Sequence, residues 1–109
     1  MESILTSIKK MLGITAEYTH FDTDLIIHIN SVLSTLYQIS PLFPRDLMIT
    51  GADEKWSDLI DEATGIELVK TYVYLKVRLI FDPPTGGVQD AFKQMADELE
   101  WRISVAGNV

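Results

Sequence analysis

Residues 71–84 read TYVYLKVRLIFDPP, a mostly β-branched, aromatic and aliphatic run that carries two cations and stops at Asp82-Pro83-Pro84. Strand, membrane segment and helix are all open readings of such a run. Leu75, Val77 and Leu79 alternate with Lys76 and Arg78, which suggests a strand, but only across five residues. The apolar segment as a whole, 66–81, is roughly 16 residues long, which is long for a strand and ordinary for a helix. Lys76 and Arg78 interrupt it far short of the roughly 18 apolar residues that a membrane helix needs. At about 100° per residue, Glu67, Lys70, Thr71, Tyr74 and Arg78 share one face. Ile66, Leu68, Val69, Tyr72, Val73, Leu75, Leu79 and Ile80 cover the rest. The segment is therefore predicted to be a nearly buried helix with a narrow wet strip, stopped by the two prolines.

On that wheel Lys76 lies almost opposite the polar strip, with Tyr72, Val73, Leu79 and Ile80 one turn away and no acid among them. It reads either as a stem that snorkels to the domain edge or as a cation on a subunit interface, paired with a neighbour's carboxylate. Arg78 can reach Asp82 one turn on, in the less favourable of the two orientations. Asp82 suits a cap on the turn that follows.

Outward from this segment the pattern stays helical. Ile4, Leu5, Ile8, Met11 and Leu12 predict a helix over 2–12, with Glu2 near its start, Lys9-Lys10 near its end and Gly13 as its C-terminal cap. A second helix is predicted over 24–39, capped from the Thr19–Asp24 stretch and ended by Ser40-Pro41. Its stripe is Leu25, Ile26, Ile29, Val32, Leu33, Leu36 and Tyr37. Residues 40–53 form a long loop, apolar for its kind, with Leu42, Phe43, Leu47, Met48 and Ile49 and room for one short extended piece. It reads either as folded back on the core or as a partner-binding loop. Residues 54–60 predict a short helix with Trp56, Leu59 and Ile60 turned inward, and 61–65 a turn. Thr85-Gly86-Gly87 is a hinge-like link. A last helix over 88–105 carries Val88, Phe92, Met95, Ala96, Leu99 and Ile103 on one line. Asp90, Lys93, Gln94, Asp97, Glu98, Glu100 and Arg102 lie opposite. Trp101 lies off that line, where it covers the stripe's edge or serves as an interface anchor.

The 109-residue chain fits a single domain with one modest core, and its 47% apolar and 23% charged residues fall in the globular range. The start is not expected to be a signal peptide, because Glu2 and Lys9-Lys10 break the pattern. A net charge of −7 argues against binding nucleic acid by phosphate neutralisation. There is no cysteine. No phosphate-binding glycine loop, HExxH or nucleophile elbow occurs, and His20 and His28 have no partners placed for a triad. The acids at 53–62 lack the spacing of a calcium loop and read as a solvated face; Asp22 and Asp24 read as helix caps. No cofactor and no metal are expected, and a hydrolase is the weakest class. A small acidic protein that imitates DNA is a stronger rival, although its acids would need one continuous face.

Taken in order, SILTSIKKMLGIT, FDTDLIIHINSVLSTLYQIS, WSDLI, LVKTYVYLKVRLIFDPP and QMADELEWRI resemble the small head–tail connector (adaptor) proteins of long-tailed bacteriophages and prophages. The resemblance covers about the whole chain and is least diagnostic over 41–53. It implies an all-α bundle of four to five helices, a structural virion protein at the neck. Copies of it form a homo-oligomeric ring beneath the portal protein, which prolongs the DNA tunnel and docks a head stopper or tail-joining protein. DNA passes without sequence-specific binding, no membrane is involved, and no catalytic residues are carried over. An acidic wall suits passage, since it repels phosphates. Within that frame neighbouring subunits are expected to meet through Lys76, Arg78 and the acidic strip Asp97, Glu98 and Glu100. Leu42, Phe43, Leu47, Met48 and Ile49, with Trp101, Val105 and Val109, are expected to face portal or stopper.

Overall fold

The computed structural model describes residues 2–40, 43, 47–60 and 65–106, the last by its backbone alone. Five helices follow in order: α1 (Ile4–Met11), α2 (Asp22–Ile39), α3 (Trp56–Leu59), α4 (Ile66–Phe81) and α5 (Gly86–Ala106). Among the described residues there is no strand, only an isolated antiparallel bridge between Ser3 and Lys55. The fold is an all-α bundle.

The deciding segment is the helix the periodicity predicts, with the same bounds, and it is the hub of the fold: α4 packs against α1, α2 and α5. Gly65, at φ 74°, turns the chain into it in a left-handed conformation that a side chain would strain. Asp82 ends it at the prolines. Ile66, Val69, Tyr72, Val73, Leu75 and Val77 are buried. Ile80, expected inside, is half exposed. The larger Phe81 takes the inward place on that turn, edge-to-face with Phe21 at 5.2 Å. Arg78 closes on its own helix end as expected, its Nε–H donating to the Asp82 carbonyl at 2.7 Å.

The first helix starts two residues later than its periodicity predicts, behind a Ser3 cap. The Ser3 hydroxyl accepts from the Thr6 N–H at 3.2 Å, leaving Glu2 outside the helix. Gly13, at φ 82°, ends it as expected, with the Ile14 N–H returning to the Lys9 carbonyl at 2.8 Å. Lys9 lies in the last turn, where the helix dipole favours a cation, but it does not reach out to solvent. Instead its side chain is 2% exposed, with Nζ donating to the Ala16 carbonyl at 3.0 Å and 2.8 Å from Asp22 Oδ1. That carboxylate contact is an ion pair lying off the hydrogen-bond axis. Asp22 is thus a counter-ion within the first turn of α2, not a cap, and Phe21 holds the cap position without a side-chain bond.

Residues 54–56 pair with the start of the chain: the Ile4 N–H donates to the Glu54 carbonyl at 2.9 Å and the Trp56 N–H to the Glu2 carbonyl at 3.3 Å. Trp56, Leu59 and Ile60 turn inward as predicted, and the Trp56 indole N–H donates to the Ser7 hydroxyl at 3.0 Å. An indole with its one donor satisfied can be buried without penalty.

The last helix begins earlier than expected, because Gly86 and Gly87 form its first residues instead of a hinge. It runs antiparallel to α4, as the contacts of Phe92 with Tyr74 and of Glu100 with Tyr72 show. Ala96, Leu99 and Ile103 enter the core. Val88 and Met95, on the same expected line, stay half exposed. An edge helix, covered on one flank only, buries a narrower stripe than its sequence offers.

Candidate functional site

The sequence singles out surfaces, not a catalytic centre, and their geometry differs from one to the next. Among the described residues no group of three or more His, Cys, Asp or Glu is placed to hold a metal ion. No helix is long and apolar enough to cross a membrane among them.

The loop is drawn into the protomer by two side chains of α2. Asn30 makes a two-way amide pair with residue 49, its Nδ2–H donating to the Ile49 carbonyl at 3.0 Å and its Oδ1 accepting from the Ile49 N–H at 2.8 Å. This reproduces one rung of a β-ladder with a side chain in place of a strand. The Tyr37 hydroxyl donates to the Leu47 carbonyl, and its ring meets Phe43 edge-on at 6.0 Å. Phe43 and Ile49 are consequently buried and Leu47 partly so, which is the folded-back reading of the loop and leaves these three turned from a docking surface within the protomer. Of the docking residues expected on this loop, Met48 is the exposed one, beside a shallow groove that it lines with Ser34, Tyr37 and Gln38. Leu42 lies outside the described residues, as do Val109 and the turn at 61–64.

At the loop's end the Thr50 hydroxyl donates to the Glu54 carboxylate at 2.9 Å. Partial burial pushes that carboxyl up. Hydrogen bonds from the Thr50 side chain and backbone, and from the Glu54 and Gly51 backbone, outweigh burial and hold it below the usual carboxylate range.

The two cations of the opening stretch part company. Arg78 is engaged inside the protomer: besides the bond to the Asp82 carbonyl, Nη1 donates to the Tyr74 hydroxyl at 3.0 Å. The Asp82 carboxylate is 3.7 Å away, and the guanidinium lies over the Phe92 ring at 5.7 Å. Lys76 is partly buried and has no ion pair among the described residues.

On α5, Asp97 and Glu98 are exposed and Glu100 is partly buried. The buried Tyr72 hydroxyl donates to Glu100 Oε2 at 2.8 Å. Burial, the bond to Glu100 and the charges of Glu100 and Asp97 all push the phenol up, so it remains a neutral donor. Trp101 is 65% exposed and does not cover the stripe's edge; Val105, one turn on, is also exposed. Asp97, Glu100 and Trp101 come together with Ile39 and Ser104 in a shallow groove between the end of α2 and the last turns of α5. Three of these five residues stand out in the sequence, but only as separate candidates. The nearness of Ile39 depends on tertiary packing, and the signal for Tyr72 is a hydroxyl within an apolar face.

No curated protein and no solved structure matches the chain. A family described as phage connector protein matches over residues 4–109, all but the first three positions of the sequence. With a match of that extent on an all-α bundle carrying these helices in this order, the chain belongs to the phage connector protein family.

Proposed function

We propose that the protein is a structural head–tail connector of the adaptor type, placed at the virion neck. Copies form a ring below the portal protein, prolong the tunnel through which DNA passes, and present a docking surface to a stopper or tail-joining protein. The observation that carries this reading is the family match over residues 4–109. The distribution of charge supports it. Among the described residues Lys76 has no counter-ion, and Asp97 and Glu98 are exposed with no cation paired to them. Opposite charges left unpaired on one chain suit a head-to-tail contact between copies, the type of interface that closes into rings. In this reading Lys76 and the acidic strip join neighbours, Arg78 holds the end of α4 in shape, and Met48, Trp101 and Val105 face the next protein in the neck.

Electron microscopy of phage lysates with and without the gene, with mass spectrometry of purified virions, tests the proposal. Loss of the gene is expected to leave separate heads and tails, and the intact virion to contain the protein. Normal virions without it would overturn the role, and competition with DNA for a nucleic-acid-binding enzyme would then be measured for the acidic-mimic alternative.

A further inference from the structure

The groove lined by Ile39, Asp97, Glu100, Trp101 and Ser104 lies between the end of α2 and the last turns of α5. We infer that it seats an arginine side chain presented by a partner protein, with the guanidinium stacked on the Trp101 indole and forked toward the Asp97 and Glu100 carboxylates. The inference deepens the docking role proposed above and rests on it only for the existence of a protein partner.

Two independent observations converge on a cation. The first is Trp101: it is the most exposed large apolar side chain among the described residues, and no ring or cation stands against it there. An indole face attracts cations more strongly than the other aromatic rings do. The second is charge. Neither Asp97 nor Glu100 has an ammonium or guanidinium partner among the described residues, and the one group bonded to Glu100 is a neutral phenol. That phenol satisfies a lone pair and leaves the negative charge uncompensated. Arg78 shows the same arrangement already made inside this chain, a guanidinium over an aromatic ring and beside a carboxylate.

The chemistry narrows the occupant further. A planar guanidinium can stack and hydrogen-bond at once, whereas a lysine ammonium is a compact, strongly hydrated point charge. Phosphates and nucleic acid are repelled by the two carboxylates and by a chain of net charge −7. Two carboxylates beside an indole fall short of the six to eight oxygens that a calcium ion takes.

The sequence contains two tryptophans, one buried and one in the groove, so two indole N–H resonances report on the isolated protein. The probe is the capped tripeptide acetyl-Ala-Arg-Ala-amide, compared at matched ionic strength with its citrulline counterpart, which keeps the shape and lacks the charge. The arginine peptide is expected to move the Trp101 resonance saturably and to leave the Trp56 resonance in place. Asp97→Asn together with Glu100→Gln is expected to weaken that response by about tenfold. Glu100→Gln keeps an acceptor for Tyr72, so the fold is retained and an unshifted Trp56 resonance verifies it. An equal response to citrulline, no response at all, or a response untouched by the double substitution would overturn the inference. So would a Trp101 shift that tracks protein concentration and blocks the peptide, since a second copy would then occupy the groove. None of these outcomes bears on whether heads and tails join, which is read separately in lysates.

Discussion

The two tryptophans of this chain lie in opposite conditions, and so do two of its lysines. Trp56 is fully buried with its N–H bonded to Ser7; Trp101 is largely exposed, with no ring or cation against it among the described residues. Lys9 is buried and paired with Asp22, while Lys76 has no ion pair there. The first member of each pair belongs to the region where α1, the start of α2 and residues 54–60 lock together. The second belongs to the α4–α5 side. On the first side the indole and the ammonium are both met within the chain. The other leaves an indole, a cation and the carboxylates of Asp97 and Glu98 without a ring or ion-pair partner among the described residues.

Five sets of substitutions bear on that contrast. The largest effect is expected for Trp56→Ala, which removes a fully buried ring and leaves a cavity costing about 3–5 kcal/mol. Trp101→Ala should stay within about 0.5 kcal/mol in the same thermal or urea unfolding experiment. Comparable losses at the two sites would erase the distinction. Next, Lys9→Met strands the Asp22 carboxylate and the Ala16 carbonyl. Asp22 keeps a quarter of its surface, so the cost should fall below that of a fully buried pair, at about 2–3 kcal/mol. Lys76→Met, with no pair to break among the described residues, should leave the melting temperature within a degree or two, as ordinary surface changes do.

Asn30→Ala removes both bonds to the backbone of residue 49 and should cost about 1–3 kcal/mol. Amide hydrogen exchange should show protection lost at Ile49 first, with Trp56 keeping its protection. The smallest effects concern pH. Because burial and the charges beside it raise the Tyr72 phenol's folded pKa above its unfolded value, its contribution is complete below about pH 10 and declines as pH rises beyond that. Tyr72→Phe should flatten this alkaline limb. Glu54 has the opposite sign. Its folded pKa is depressed, so its contribution is present above the ordinary carboxylate range and lost as pH falls through the folded value. Glu54→Gln should remove that acid limb and leave the alkaline one unchanged.

The helices were largely legible in the sequence because periodicity and stop signals are local. The bounds of α4 follow from its length and from Asp82-Pro83-Pro84, and the inward set Trp56, Leu59 and Ile60 from spacing alone. The errors fall where a distant segment decides. Nothing near Lys9 announces that Asp22 and the Ala16 carbonyl will enclose it, since a lysine in a last helical turn ordinarily points to water. The loop residues Phe43 and Ile49 were drawn inward by Tyr37 and Asn30, polar groups on the helix before the loop whose targets lie 6 and 19 residues on. On α5 the full apolar line was visible, but not that an edge helix would bury only part of it, leaving Val88 and Met95 out. The groove was legible as residue types, with Asp97, Glu100 and Trp101 all singled out. Its assembly required Ile39 from another helix.

On the proposed reading the exposed surface of α4 and α5 carries assembly, while the interlocked region of α1, the start of α2 and residues 54–60 carries the fold alone. The most direct test is complementation of a gene-deleted phage with a chain carrying Lys76→Met and Trp101→Ala together. The variant is expected to unfold at the wild-type temperature as an isolated protein and yet to leave separate heads and tails in lysates. Joined virions at wild-type yield from that same stable variant would contradict the account.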